Sequence, residues 1–370
     1  MKAILEKFMK QALLNAKEAW GETSPDPMVG AVIVEVGQVV AEGYLAKSGA
    51  VPAEKDVMNK IGRIPAPGSS LFITMEPRAS EENEANLEQI IKMGFERVVI
   101  GTAHPSSEHT GKGIEYLTRA GVKVSSGILD EECRNLNFIY NYACEHKRPL
   151  IAAKVATTID GKVATRAGHS KWITSDIARA DVMHWRKFFP AIAVGATTVL
   201  LDDPKLTVRI EGEDEIAPIR FIFDGKLSSV EMPLRGIFTD EFREKTVILA
   251  LDNADIEKFK ILEDNGIQCW KFDSKSNLIP FPEFCEKCLE NGLSGVLFEG
   301  GANLVSKLMV LKAIDYLFVY RAPKIFGDTE ALSVFSGREC LELKEAITLR
   351  DVQHTILGDD QLMRGYVKNP

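Results

Sequence analysis

The chain has 370 residues, 45% of them hydrophobic and 26% charged, and a formal net charge of −8. Single hydrophobic cores stop growing near ~250–300 residues, so two domains are expected. The acidic balance gives no electrostatic footprint for nucleic acid or an anionic membrane, yet it allows a local basic pocket for a phosphorylated small molecule.

The N-terminal stretch MKAILEKFMKQALLNAKEAW places Ile4, Leu5, Phe8, Met9, Ala12, Leu13 and Ala16 on one helical stripe between charges. This predicts an amphipathic helix, not the continuous apolar segment of a signal peptide. MVGAVIVEVGQVVAEGY predicts a hairpin turning around Val36 to Gln38, and the strand SLFITMEP follows. Next come a helix over Ala85 to Met93, the strand ERVVIGT, a helix near Ile114 to Ala120, a short VKV strand and a helix from about Asp130 to His146. Such alternation predicts a sheet covered by helices on both faces.

Helix signals stop at CEHKRP, where Pro149 breaks the pattern, so the domains are set at 1–146 and 147–370. Beyond the boundary, strands are expected at Leu150–Thr157, Ala191–Gly195, Ile219–Asp224, Thr246–Leu251, Gly295–Glu299 and Tyr316–Tyr320, with helices between several of them. The second domain is therefore also α/β. No apolar run approaches the roughly 18 residues a membrane span needs. A soluble, cytoplasmic protein with its six cysteines reduced is the expectation. Cys285 and Cys288 have a suggestive spacing, but Phe281, Phe284, Cys288 and Leu289 fall on one helical stripe. Core packing competes there with a redox pair or half a zinc site, and no second such pair exists to complete the latter.

The phrases SPDPMVGAVIV, AEGY, PAE and TMEP resemble the cytidine-deaminase-like domain of the bifunctional riboflavin-biosynthesis deaminase/reductase family. That resemblance implies a zinc site built from one His and two Cys, with a Glu beside the His to shuttle protons. Here Pro52 stands at the His position, Arg78 at the first Cys, and Asn86 near the second, so no zinc is expected. Glu54 keeps the shuttle position, where it is either a residual functional group or a leftover carboxylate. Asp26 replaces the family's usual Asn. Glu54, Asp56, His104 and His109 offer no ligand spacing that would rebuild a metal site.

Five further phrases resemble, in order, the dihydrofolate-reductase-like half of the same family. They are KVATTIDGKVA (Lys154 to Ala164), HSKWIT (His169 to Thr174), VGATTVLLDDPKLTVR (Val194 to Arg209), LFEGGANL (Leu297 to Leu304) and APKIFG (Ala322 to Gly327). In LFEGGANL an apolar strand runs into a glycine pair and then a helical pattern, a geometry in which backbone N–H groups and the helix dipole can take a pyrophosphate. A tight turn is the alternative. No G-x-G-x-x-G occurs, so NADPH is implied by the resemblance and not by that fingerprint.

By matching position, the resemblance gives cofactor contacts to Ala156, Trp172, Thr198, Asp202, Gly300, Gly301, Ala302 and Asn303. It gives substrate contacts to Ser170, Arg186, Leu206, Arg209 and Glu299. Taken alone, Trp172 could equally be core. Asp202 and its neighbour are expected at a strand-to-loop exit, and Asp203, next to Pro204, as a turn residue. Arg186 follows a helix opened by Thr174 or Ser175, and guanidinium groups suit a substrate phosphate. Asp202 and Glu299 are the candidate catalytic carboxylates.

The implied reaction is NADPH-dependent reduction of 5-amino-6-(5-phosphoribosylamino)uracil, a phosphorylated aminopyrimidine, by a homodimer, with deamination left to a separate polypeptide. The competing readings are an active bifunctional deaminase/reductase and a non-catalytic nucleotide-binding paralogue.

Overall fold

The computed structural model describes residues 2–80, 84–273 and 278–369, and it divides into unit 1, Met1–Arg148, and unit 2, Pro149–Pro370. Unit 1 opens with α1 (Lys2–Lys17), which buries Phe8, Met9, Ala12, Leu13 and Ala16. Ile4, expected on the same stripe, sits in the first turn and is 60% exposed. β1 (Gly30–Glu35) and β2 (Gln38–Tyr44) form the hairpin, closed by Val36 at φ 47° and Gly37 at φ 74°. A two-residue loop whose twist matches the strands needs positive φ at both places, and here a β-branched residue is held in it.

The remaining elements are α2 (Ala53–Ile61), β3 (Ser70–Met75), α3 (Glu84–Met93), β4 (Arg97–Thr102), α4 (Lys112–Arg119), β5 (Lys123–Ser126), α5 (Asp130–Leu136) and α6 (Phe138–His146). The sheet runs β2-β1-β3-β4-β5, antiparallel from β2 to β3 and parallel from β3 to β5. Its core contains Ile33, Val57, Leu71, Ile90 and Ile100.

The single helix expected from Asp130 to His146 is interrupted at Asn137, whose φ of −115° is not helical. The side chain gives the reason. Asn137 Oδ1 accepts from the Met28 N–H and Nδ2 donates to the Met28 carbonyl, both at 2.8 Å and both buried. An amide that satisfies a distant backbone in both directions fixes the bend that aims it.

Unit 2 comprises β6 (Leu150–Thr157), β7 (Lys162–Ala164), α7 (Asp176–Phe188), β8 (Ala191–Gly195), α8 (Ala196–Asp202), β9 (Ile219–Phe223), β10 (Thr246–Leu251), α9 (Ile256–Asp264), β11 (Gln268–Phe272), α10 (Phe281–Glu290), β12 (Gly295–Phe298), α11 (Ala302–Val310), β13 (Tyr316–Arg321), β14 (Leu332–Ser333), β15 (Thr348–Leu357) and β16 (Asp360–Lys368). Nine strands order as β11-β10-β9-β8-β12-β6-β13-β16-β15, parallel from β11 to β13 and antiparallel through the final hairpin. Strands covered on both faces carry continuous apolar runs, and β10 (TVILAL) is buried along its whole length.

Phe284 on α10 packs against Phe221 and Phe223 at ring separations of 5.2 and 5.0 Å, and Phe223 lies 5.2 Å from Phe298 of β12. Each fully buried ring, as at Phe221, Phe284 and Phe298, stabilises by about 1.5–3 kcal/mol. Cys285 and Cys288 belong to the same core as free thiols. Among the described residues no helix is long and apolar enough to cross a membrane.

Candidate active site

β8, β12 and β6 lie side by side and parallel, with Phe298 opposite both Ala193 and Ala153. Their C-terminal ends therefore open onto one edge of the sheet, where open α/β sheets bind ligands. Glu299 follows β12 and ties to β8 by its N–H, which donates to the Ala193 carbonyl at 2.9 Å. Its carboxylate, 4% exposed, accepts from Arg186 Nε at 2.6 Å and Nη2 at 3.1 Å, and from Lys154 Nζ at 3.0 Å. Burial pushes the Glu299 carboxyl up, but Arg186 and then Lys154 outweigh it and hold it at about 2. It is thus ionised at neutral pH and cannot serve as a resting proton donor. Two cations around one anion leave the cluster with an excess positive charge.

Arg186 reaches this point from α7, whose N-cap is Ser175; the Ala178 N–H donates to its hydroxyl at 3.3 Å. Its Nη1 donates to the Thr207 carbonyl at 2.9 Å, and the Thr207 hydroxyl accepts from Arg209 Nη1 at 2.6 Å. Arg186 is therefore enclosed by protein partners. Arg209, with its side chain 48% exposed, is the accessible guanidinium of the pair. Ser170 is exposed as well, whereas Leu206 is buried.

Gly300 and Gly301 join β12 to α11, and Gly301 is the N-cap. In that turn the Leu304 N–H donates to the Gly301 carbonyl at 3.1 Å, so the N–H groups of Gly301, Ala302 and Asn303 precede it. A Cβ at Gly300 would come within 3.0 Å of Leu304, while one at Gly301 would meet nothing within 4 Å. The first glycine serves packing; the second leaves an open backbone at a helix N-terminus, which fits a cofactor phosphate.

Asp202, expected at a strand-to-loop exit, lies instead on α8 together with Thr198, because β8 ends at Gly195 and that glycine caps a new helix. Asp202 is exposed, with Lys171 Nζ 3.9 Å from Oδ1. Asp203, at φ 40°, accepts from the Gly236 N–H at 3.0 Å and so anchors a loop. Trp172 is not core: it is 66% exposed, with the Arg179 guanidinium 4.4 Å from its ring centre. Ala156 stands on β6 opposite Tyr320, whose hydroxyl donates to Asp181 at 2.6 Å. Sequence reasoning assigned no role to Lys154, Thr207 or Tyr320. Lys154 was findable, since it opens one of the five matched phrases three residues from the end of β6.

Unit 1 holds a cavity of about 210 Å³, lined by Asp26, Pro52, Glu54, Glu76, Arg78 and His104 among others. Arg78 Nη2 donates to Tyr140 Oη at 3.0 Å and to Asp26 Oδ1 at 3.4 Å. The Ser106 N–H donates to His104 Nδ1 at 3.1 Å, which puts the proton of the neutral ring on Nε2, facing Tyr140 Oη at 3.3 Å. The 3.3 Å approach of Arg78 Nε to the same nitrogen then sets donor against donor. Burial, Arg78 and His109 hold His104 down to about 4. Glu54 is buried and its carboxyl is pushed up by desolvation, which Arg78 opposes. Glu76 accepts from the N–H groups of His104, Gly111 and Ile114 at 2.9–3.1 Å, so its role is to brace the loop.

Comparison with known proteins decides the family. The RibD C-terminal domain family matches residues 149–363. Riboflavin biosynthesis protein RibD of Bacillus amyloliquefaciens is 35% identical over 356 residues, covering 96% of this chain and 94% of that protein. The chain belongs to the RibD family of riboflavin biosynthesis proteins. RibD of Aquifex aeolicus is 33% identical over 363 residues, with 97% and 98% covered. Among solved structures, Acinetobacter baumannii RibD aligns with a TM-score of 0.83 at 28% identity over 100% of both chains. The diaminohydroxyphosphoribosylaminopyrimidine deaminase/5-amino-6-(5-phosphoribosylamino)uracil reductase of Thermotoga maritima gives 0.82 at 29% identity, over 100% of this chain and 99% of that one.

Within this RibD framework, unit 1 is deaminase-like and unit 2 dihydrofolate-reductase-like. The zinc implied for a working deaminase unit does not fit the residues present. Pro52 has no lone pair to give, and Arg78 brings a guanidinium, itself a cation, into the cavity. Asn86 lies on α3 and is not among the cavity's lining residues.

Proposed function

We propose that this RibD-family chain is an NADPH-dependent 5-amino-6-(5-phosphoribosylamino)uracil reductase whose deaminase-like unit does not deaminate. The observation that carries this reading is an asymmetry between the two units. Unit 2 gathers Glu299, Arg186, Lys154 and an open Gly301 at one sheet edge, while unit 1 presents Arg78 where a metal ligand would be needed.

NADPH, when bound, would supply the hydride for reduction of the ribosyl C1′ of the substrate. The N–H groups of Gly301, Ala302 and Asn303 would hold its phosphates, and the exposed face of Trp172, with Ala156, Thr198 and Asp202, would line its path. Arg209, half exposed, would take the substrate phosphate, and the exposed Ser170 would contact the substrate, as the family resemblance implies. Glu299 acts as an anionic anchor: it orients Lys154 and Arg186 and offers an acceptor for sugar or amine N–H and O–H groups. Such chemistry asks the protein for orientation and electrostatics more than for acid/base groups.

The test is incubation of the purified protein with the deaminated and the undeaminated pathway intermediates, each with and without NADPH, and identification of products by mass. Expected are NADPH oxidation and a gain of two hydrogens with the deaminated compound, and no loss of ammonia from either. Deamination of either intermediate would overturn the reading of unit 1. Failure to reduce both would overturn that of unit 2.

A further inference from the structure

The cavity of unit 1 does not fit zinc, yet it is open space lined by polar and apolar groups. At about 210 Å³ it has room for a single ring, and its apolar side is built from Val29, Leu45 and Met75. Two polar groups converge on it. Arg78 spends Nη2 on Tyr140 and Asp26 and directs Nε toward His104, and its Nη1 has no partner among the described residues. Glu54 is 7% exposed, lines the same cavity, and has no partner side chain among the described residues. Its carboxyl meets its own backbone N–H, and the rest of its acceptor capacity is open to a ligand in the cavity.

From this geometry we infer that the cavity is a non-catalytic binding site for a small ring bearing a lactam edge, that is, a carbonyl oxygen next to a ring N–H. The carbonyl accepts from Arg78, and the ring N–H donates to Glu54. One Glu54 oxygen can accept in either protonation state, so the match does not depend on its titration. A ring with an amino group in place of the carbonyl would set two donors face to face, which selects the oxo form. Unit 1 is then a holding or regulatory site for an oxo-pyrimidine. This inference rests on the reading that no zinc occupies the cavity.

The test uses the full chain, 1-methyluracil, 1-methylcytosine and 1,3-dimethyluracil as probes, titration calorimetry, and metal analysis of the same sample. N1 is methylated in all three, so 1-methyluracil alone keeps a ring N–H beside a carbonyl. It should bind, and the other two should bind at least about tenfold more weakly, as loss of one charged hydrogen bond implies. Arg78→Ala should weaken 1-methyluracil by a similar factor and Arg78→Lys by less, while Glu299→Gln in unit 2 should leave its calorimetric site in place. No binding of 1-methyluracil, or equal affinity for the three rings, would overturn the inference and spare the zinc-free reading. Stoichiometric zinc would overturn both. The ring selectivity is read on the unmodified protein, so an Arg78 variant that fails to fold does not remove the test.

Discussion

Arg186 and Glu299 form a buried two-point pair, Nε to Oε1 at 2.6 Å and Nη2 to Oε2 at 3.1 Å, although 113 positions separate them in the chain. With Lys154 on the same carboxylate, three elements of unit 2 are tied at the open edge of its sheet. Removing the anion leaves two cations facing each other without compensation. Glu299→Gln should therefore destabilise unit 2 by about 3–5 kcal/mol at neutral pH, measured by urea unfolding.

The same pair sets a pH window. Glu299 is held at about 2 against an ordinary 4.5, so its contribution is fully present above about 4.5 and is lost as pH falls toward 2. At about 1.4 kcal/mol per pH unit, the gap corresponds to about 3 kcal/mol. The stability difference between the wild type and Glu299→Gln should narrow across that window. Parallel curves from pH 7 to pH 3 would show that the pairing contributes nothing of this kind.

The two adjacent glycines should behave differently. A Cβ at Gly300 presses within 3.0 Å of Leu304, so Gly300→Ala should cost about 1–2 kcal/mol of stability. Gly301→Ala adds a methyl to open space and should change stability by less than about 0.5 kcal/mol. If the N-terminus of α11 takes the cofactor phosphates, the same methyl should nevertheless raise the KM for NADPH. An unchanged KM in Gly301→Ala would place the cofactor elsewhere.

What the sequence disclosed follows from which forces are local. Fully buried strands such as β8 and β10 announce themselves by continuous apolar runs, and the β12 to α11 turn by its glycine pair. The hairpin of β15 and β16 went unread because β15 is mostly exposed and polar, with no alternation to mark it, although Gly358 at φ 65° sits in its turn. α2 went unread because its N-cap is Pro52, which has no side-chain acceptor to mark a helix start. The partners of Glu299 were invisible for another reason. Periodicity shows which residues face inward, but a carboxylate's ionisation depends on which cations the sheet order brings beside it.

Arg209 should separate binding from chemistry. Its guanidinium is half exposed, donates to the Thr207 hydroxyl at 2.6 Å and has Glu215 Oε1 at 3.8 Å, a loose pairing that leaves its outer N–H groups for a phosphate. Arg209→Ala should raise the KM for the phosphorylated substrate by roughly tenfold to a hundredfold with a much smaller change in kcat, since hydrogen bonds to charged groups are worth about 1.5–3 kcal/mol. A loss confined to kcat would mean that Arg209 touches the reacting centre and not the phosphate.

Asn137 offers a stability test in unit 1. Its amide satisfies both the N–H and the carbonyl of Met28 in a buried setting. Asn137→Ala strips a donor and an acceptor at once and should destabilise unit 1 by about 2–4 kcal/mol. Hydrogen exchange should locate the loss at the Met28 amide first. Retained protection there in the variant would mean that the amide bridge does not hold that loop.

Metal removal should have no effect on this chain. A metal that binds only the folded state raises its stability with concentration, so a zinc deaminase unit loses melting temperature to a chelator. Here Arg78 donates to Tyr140 and Asp26 at the cavity wall, and Pro52 supplies no ligand atom. A zinc ion entering that space would meet a fixed cation; Glu76 is held by three backbone N–H groups, Asp26 by Arg78 and Ser48, and His104 Nδ1 by the Ser106 N–H, which leaves Glu54, unable to meet a three-ligand requirement alone. Dialysis against a strong chelator should leave the melting temperature and the NADPH oxidation rate unchanged, and added zinc should not raise the transition. A rise of several degrees at micromolar zinc would show that other residues of unit 1 have taken over the metal.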